Sequence, residues 1–565
     1  MSLSQLKKAI LGQLEKHSYA RVILAFCIVL SLNFSVITQP PVWDTAASIF
    51  PAAIYLSNND FNFVKLFQEP GYASGGPNVH GLSVMTLVTA VIYKITGGGT
   101  AALVSLHLIQ FLMASLALVS FFNLTSMVIS KLDSFLLCLA ILIYPVVLTQ
   151  TRYMYSEIPL LLFTINAIGY WVRREFGKAL PFILLASITK ETGFIVGGCI
   201  AFYTLFESGT LWRRLVRSAS VLIPVLVLVA IYFLYITPRA MPEFLEGSSL
   251  HALHSFVDVP KTISRCVASA LDRFLIMVPD VLVAIVSVFI IGLVRLKAVL
   301  WSRFVPNKDK SAMANAGSVK NRLVDLSILL VVFFHFLHYV ILPISIDFCC
   351  PMIRYHVQII PFLGFILAYF VIEKIGSRVF HFLIALVLIG SVINQDGVLY
   401  PNEVNREGLG ANFGVTERSG AYRKLLSVQR AGIELLSKLP SQIPVFYEHH
   451  NHYVFQYPEM GYTSQPLKNG HNIFVEEPYR SGLLKDYPPC FVMFYFSPFL
   501  GGKNMLRVVK EAELSPEWNS QVIQTIENGP YLGYLIKVWK EGTSCLEGIK
   551  LEETATPGGR GHNSP

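Results

Sequence analysis

TAALVSLHLIQFLMASLALVSFF, residues 100–122, runs for 23 positions without one charged side chain. At about 1.5 Å per residue this is enough helix to cross a hydrocarbon core roughly 30 Å thick. Similar runs lie at Tyr19–Thr38, Phe135–Leu148, Ile158–Trp171, Val216–Ile236, Phe274–Leu293, Val324–Leu342, Val357–Ile372 and Phe380–Ile393. Two shorter runs, Leu180–Ile188 and Phe194–Phe206, flank the polar insert Thr189-Lys190-Glu191-Thr192-Gly193. They read as short helices meeting at the membrane surface, which brings the expected spans to eleven. The whole chain agrees: 53% of its 565 residues are hydrophobic, 14% are charged, and its mean hydropathy is +0.54. A soluble domain carries about 25% charged residues. A soluble enzyme, a disordered scaffold and a fibrous protein are therefore excluded, and the fold class is an α-helical polytopic membrane protein.

The net charge of +9 comes from Lys and Arg placed between apolar runs. That placement is the positive-inside bias rather than a nucleic-acid footprint. With Lys7, Lys8 and Lys16 on the cytoplasmic side, the inner loops hold Lys131; Arg173, Arg174 and Lys178; Arg213, Arg214 and Arg217; Arg295 through Arg322; and Lys374 and Arg378. The outer loops hold only scattered bases, so the asymmetry agrees at every crossing. The run Leu82–Tyr93 is too short to cross and is assigned to the outer interface. The sequon Asn123-Leu124-Thr125 then faces the cytoplasm, where no glycan is expected. Val22–Leu32 is followed by Asn33 and Phe34 with no small-residue cleavage site, so no cleaved signal is expected.

Two segments differ from the rest. The first external loop, 39–99, is long and aromatic within the membrane module 1–393. After Ile393 the chain turns polar. Tyr422–Leu439 has a helical pattern, and Ile443–Tyr447, Cys490–Phe496 and Tyr531–Val538 read as strands, predicting a small external α/β domain over 394–553. Residues 554–565 are Gly/Pro-rich and read as a disordered tail. Eight cysteines are too scattered for a disulfide scaffold or a zinc site, although Cys490 and Cys545 could pair in an oxidising compartment.

Few charged residues fall on the outer side of so apolar a chain, and each has a bland alternative. Asp44, after Trp43, is a site acid or a solvated loop acid that caps a helix. Glu157, in Arg152-Tyr153-Met154-Tyr155-Ser156-Glu157, is an acid at a span boundary among aromatics or half of a surface pair with Arg152. Lys190 suits a phosphate arriving from the outer leaflet; otherwise Lys190-Glu191 is a neutralised polar turn. Arg354-Tyr355-His356 suits a phosphate or pyrophosphate, or else a snorkelling arginine in an aromatic belt. All lie on one face. Mid-span charges are nearly absent, and paired halves and Gly-rich nucleotide loops are lacking, which disfavours an ion-coupled transporter and a cytoplasmic nucleotide-sugar enzyme.

Over roughly Tyr19 to Ile393 this arrangement resembles the polyprenyl-phosphate-dependent glycosyltransferases of the GT-C superfamily, the bacterial relatives of protein O-mannosyltransferases and the lipid A aminoarabinose transferase. The resemblance lies in Trp43-Asp44, Val79-His80-Gly81, Tyr155-Ser156-Glu157, Thr189-Lys190-Glu191-Thr192-Gly193, and Arg354-Tyr355 with Pro361. Thr45 stands where relatives have a second acid, His80 lacks the following prolines, and Glu157 replaces an Asp. The resemblance implies transfer of a sugar from a polyprenyl phosphate to a glycan, lipid or protein acceptor on the external face of a bacterial inner membrane. It makes Asp44 the base and Glu157 the second acid, which orients the acceptor or shares a divalent cation with Asp44. Lys190, Arg354 and Tyr355 would hold the donor phosphate, with His80, Arg152 and Glu191 as substrate contacts. A flippase or exporter of lipid-linked sugars, or a polymerase of them, is the competing reading. No cofactor beyond that cation, and no nucleic-acid partner, is expected.

Overall fold

The structure, a computed structural model, describes residues 18–41, 45–68, 83–207, 210–231, 263–264, 267–268, 271, 279–304, 319–341, 353–393, 419–447, 457–463, 467, 469–472, 483–497, 502–528, 531–543 and 545. Its helices follow the apolar runs. They are α1 (Ser18–Asn33), α2 (Phe50–Asn58), α3 (Phe63–Gln68), α4 (Val84–Thr96), α5 (Gly99–Thr125), α6 (Lys131–Ile143), α7 (Pro145–Arg152), α8 (Glu157–Val172), α9 (Phe176–Thr189), α10 (Phe194–Phe206), α11 (Leu211–Ala230), α12 (Pro279–Phe304), α13 (Val319–Phe336), α14 (Ile360–Lys374) and α15 (Ser377–Ile393). The polar region adds α16 (Ser419–Ser437), β1 (Val445–Tyr447), β2 (Gly470–Asn472), β3 (Cys490–Ser497), α17 (Gly502–Leu514), β4 (Trp518–Asn528) and β5 (Tyr531–Lys540).

Among the described residues three stretches are long and apolar enough to span a membrane: Ser18–Val36, α5 and Val319–Tyr339. The pair α6 and α7 makes a fourth if counted as one broken span. Helices α4, α8, α9, α10 and α15 are apolar but shorter, so fewer full-length spans stand here than the eleven apolar runs. Ile223, Leu226, Ile290, Leu293, Leu386 and Ile389 are exposed on α11, α12 and α15. In water such surfaces would aggregate; in lipid they need no cover, and the chain is accordingly an integral membrane protein.

The expected span Phe135–Leu148 is not one helix. It breaks at Tyr144, and α6 and α7 meet at 64°. Pro145 lacks the N–H that would continue the ladder, and its ring excludes the helical conformation at Tyr144, whose ψ is 126°. At its other end α6 is capped by Ser130, whose hydroxyl accepts from the Asp133 N–H. The Asp133 carboxylate in turn lies 2.7 Å from His381 Nε2, tying α6 to α15.

The described chain divides into two compact units. Unit 1 comprises Met1–Thr38, Leu82–Val88 and Val104–Pro401. Its described elements are all helical, and it holds Glu157, Lys190 and Arg354. Unit 2 comprises Gln39–Gly81, Thr89–Leu103 and Asn402–Pro565. It carries a five-stranded sheet in the order β2-β1-β3-β5-β4, parallel across β2, β1 and β3 and antiparallel across β3, β5 and β4. Phe446, Phe491, Met493, Val508, Ile536 and Val538 form one core beneath it. Cys490 is disulfide-bonded to Cys545 and closes the chain around β3 and β5. Strand β4, helix α17 and the three-residue β2 add to the helix and three strands expected from the sequence. Within the same unit the Tyr93 hydroxyl donates to the Glu459 carbonyl oxygen at 2.9 Å, and burial with the nearby Glu459 carboxylate pushes the Tyr93 phenol up.

Candidate functional site

Glu157 is the first residue of α8, where the helix dipole favours a negative charge. The turn that presents it, 153–156, is held from α5. Buried Gln110 donates from Nε2 to the carbonyl oxygens of Gln150, at 3.2 Å, and Tyr155, at 3.0 Å. The His107 ring lies 3.1 Å from the Arg152 carbonyl oxygen. Between these anchors Met154 adopts φ +57°, left-handed backbone that a non-glycine residue keeps only where its surroundings fix it.

Lys190 follows the last residue of α9 and is extended, at φ −161° and ψ 155°. Glu191–Gly193 then make one 3-10 turn before α10, and the Gly193 N–H donates to the Lys190 carbonyl oxygen at 2.8 Å. A Cβ on Gly193 would sit 1.9 Å from the Ala186 carbonyl oxygen. Glycine is what lets this turn lie against α9 and fix Lys190. The third group, Arg354, stands on the 3-10 turn Ile353–Gln358. Gln358 Nε2 donates to Thr164 Oγ1 at 3.2 Å, which ties that turn to α8.

These three elements converge. Lys190 Nζ is hydrogen-bonded to Glu157 Oε1, and Arg354 Nε lies 3.8 Å from the same oxygen. The side chains of Glu157, Lys190 and Arg354 are 2%, 13% and 1% exposed. Aromatic faces complete the surroundings. Lys190 Nζ is 4.1 Å from the Tyr355 ring centroid, and Arg354 Cζ is 5.2 Å from that of Tyr155 and 5.4 Å from that of Tyr355. Two cations therefore share one carboxylate in a buried setting. Glu157 Oε2 makes no hydrogen bond among the described residues.

This geometry corrects two sequence alternatives. A snorkelling arginine keeps its head group in solvent, whereas Arg354 is buried. Glu157 is no surface pair: it is buried against Lys190 and Arg354. Arg152 instead directs Nε to Asn33 Oδ1 and Nη2 to the Leu32 carbonyl oxygen, each at 2.9 Å, capping the end of α1. Glu191 takes part in the 3-10 turn. Asp44 and His80 lie outside the described residues. Among the described residues no three His, Cys, Asp or Glu side chains converge as metal ligands.

A group not assigned from the sequence adjoins the cations. His335, on α13, and His338 and Tyr339, in the π-turn Leu337–Ile341, lie close to Tyr355 and His356. The His335 and His356 ring centroids are 5.6 Å apart, as are those of His338 and Tyr355. The signal was two histidines three apart at the end of an otherwise apolar run, a spacing that puts both on one helix face.

No protein-family model matches the chain, and no curated protein sequence does. Solved structures similar to it include ArnT from Cupriavidus metallidurans bound to undecaprenyl phosphate, at 14% identity and TM-score 0.44, covering 91% of this chain and 97% of that one. The archaeal oligosaccharyltransferase AglB from Archaeoglobus fulgidus, solved with an inhibitory peptide and a dolichol phosphate, aligns at 13% identity and TM-score 0.40, covering 92% and 74%. The arabinofuranosyltransferase AftD from Mycobacteria aligns at 12% identity and TM-score 0.37, covering 93% and 40%.

Proposed function

We propose that this chain is a membrane glycosyltransferase that moves a sugar from a polyprenyl-phosphate donor to a glycan, lipid or protein acceptor on the external face. The observation that carries this reading is the buried constellation of Glu157, Lys190 and Arg354. Among the described residues two cations stand against one carboxylate, and a buried cation is costly unless an anion faces it. An anionic ligand balances it. A phosphate is an anion that both a lysine point charge and an arginine fork recognise. In a lipid-exposed protein a phosphate comes most directly on a lipid.

The chemistry follows. The acceptor hydroxyl oxygen attacks the anomeric carbon and forms the new glycosidic bond. The bond from that carbon to the phosphate oxygen breaks, and its electron pair leaves with the lipid phosphate. Lys190 and Arg354 stabilise the charge that develops there. The hydroxyl proton passes to Asp44 as general base, a role that rests on the sequence resemblance. Glu157 holds both cations and, with its second oxygen, orients the acceptor. A single displacement inverts the anomeric carbon. A divalent cation shared by Asp44 and Glu157 belongs to the same reading. So do a cytoplasmic N-terminus, an external region after Ile393 and a bacterial inner membrane.

The test is sugar release from a polyprenyl-phosphate-linked donor by purified protein, with Lys190→Ala and Arg354→Ala alongside. Each charged contact to phosphate is worth roughly 1.5–3 kcal/mol, so donor KM should rise about one to two decades in each variant. Donor binding without sugar release by the wild type points instead to a flippase or exporter. Unchanged donor KM in both variants removes the phosphate clamp.

A further inference from the structure

The imidazole group beside the cations has a use of its own. His335 Nδ1 lies 2.7 Å from the Val331 carbonyl oxygen. A carbonyl only accepts, so Nδ1 carries the proton. A second proton would place an unpaired charge against Phe289 and Phe334, whose ring centroids are 5.8 and 5.6 Å away. The ring is therefore neutral and Nε2 is a bare acceptor. His335 is only 7% exposed, and Nε2 has no hydrogen-bond partner among the described residues. A buried acceptor in that state needs a donor.

The surroundings say what kind. An acceptor repels an anion, so this is not part of a phosphate clamp. The His356 ring is 5.6 Å from His335, and its Nε2 is 3.3 Å from the Tyr339 hydroxyl. His338 stacks on Phe334 at 4.3 Å and faces Tyr355, whose ring also lies 4.1 Å from Lys190 Nζ. Ring faces interleaved with imidazoles suit a carbohydrate, which offers C–H faces to aromatics and hydroxyls to acceptors. Tyr355 is the shared wall between this group and the cations. A sugar is bonded through its anomeric carbon to a phosphate oxygen, so the sugar of a phosphate held by Lys190 and Arg354 can reach the Tyr355 ring that both cations adjoin.

We propose that His335, His338 and His356, with Tyr355, form the subsite for the donor's sugar, in which His335 Nε2 accepts a hydrogen bond from one sugar hydroxyl. This rests on the donor reading above and names the part of the protein that selects the sugar. It also predicts that the sugar is recognised separately from its lipid phosphate.

The experiment uses the full-length protein in detergent and two probes: a polyprenyl phosphate without sugar, and the same lipid phosphate carrying a hexose. His335→Phe keeps a ring and removes the acceptor. It should weaken binding of the hexose-bearing probe about tenfold, one neutral hydrogen bond's worth, and leave the sugar-free probe unchanged. His335→Gln, which restores an acceptor oxygen, should recover part of the loss. A measurement on the wild type needs no variant: among donors each lacking one hydroxyl, one should bind about tenfold worse. Equal binding of all deoxy donors overturns the proposal and gives Nε2 to a buried water. Equal loss of both probes in His335→Phe overturns it too and makes the ring a packing element. A wild type that binds neither probe sinks the donor reading itself, which the deoxy series and the variants do not touch.

Discussion

The ammonium group of Lys190 lies against the carboxylate of Glu157, 33 residues away, with both side chains largely withdrawn from solvent. The pair joins the start of α8 to the turn after α9. Arg354 approaches the same carboxylate oxygen from a third element. Removing the Glu157 charge takes from both cations the carboxylate they share.

Glu157→Gln should accordingly lower stability by about 3–5 kcal/mol, the range for breaking a buried pair. Glu157→Gln combined with Lys190→Met should recover part of that loss. A coupling energy on the order of 0.5–3 kcal/mol is expected from the double-mutant cycle, read by thermal unfolding in detergent. Additive losses would mean that the two groups do not sense each other.

Asp44→Asn should abolish turnover while leaving expression and donor binding close to wild type. The exchange is isosteric and removes the charge and the proton-accepting ability. General-base catalysis supplies about 10²–10⁴-fold, so the rate of sugar transfer should fall by at least about two decades. A helix cap or solvated loop acid would instead cost on the order of 0.5–2 kcal/mol of stability with transfer intact.

Gln110→Met removes the donor that serves two carbonyl oxygens around the Tyr153–Tyr155 turn. Each buried carbonyl left without its partner costs about 1–3 kcal/mol. Without that grip Met154 has less reason to keep φ +57°, and Glu157 shifts with it. The expected result is a lower melting temperature and a weaker donor affinity together. Gln110→Glu, which loses the amide donor but keeps the shape, should behave like Met rather than like wild type.

Gly193→Ala should displace the turn that holds Lys190, because the added carbon has only 1.9 Å to the Ala186 carbonyl oxygen. Donor KM should rise toward that of Lys190→Ala, whereas Gly198→Ala, where a Cβ meets open space, should leave it unchanged. Equal donor KM in Gly193→Ala and wild type would show that Lys190 is placed by other contacts.

Cys490 and Cys545 close a loop of 55 residues. In the chain-entropy account a loop of this length is worth about 4 kcal/mol, so Cys490→Ser should destabilise the sheet by roughly that amount. The same bond reports the compartment. Alkylation of cells without reductant should leave both thiols unmodified if the region after Ile393 is external, since disulfides persist in oxidising compartments. Ready labelling of either cysteine would put this region in the cytoplasm and reverse the orientation read from Lys and Arg.

The sequence by itself determined that the chain is a membrane protein. Apolar runs such as 100–122, and their lack of charge, are local properties that hold whatever the neighbours do. It also placed the Thr189–Gly193 interruption, since a charged pair and a glycine between two apolar runs can hardly continue a helix there. It picked out Glu157, Lys190 and Arg354 as rare charges at span ends. What only the tertiary structure decided is that they meet. Helices apolar on every side carry no stripe that says which face is turned to which partner. The approach of Arg354 to Glu157 therefore follows from packing among α8, α9 and the Ile353–Gln358 turn. The same holds for burial. A cation at a span end is equally written for a snorkelling or a buried arginine, and only the elements packed around Arg354 make it the latter. Arg152 shows the converse: beside Glu157 in the chain, it is directed by the fold to Asn33 and Leu32 instead.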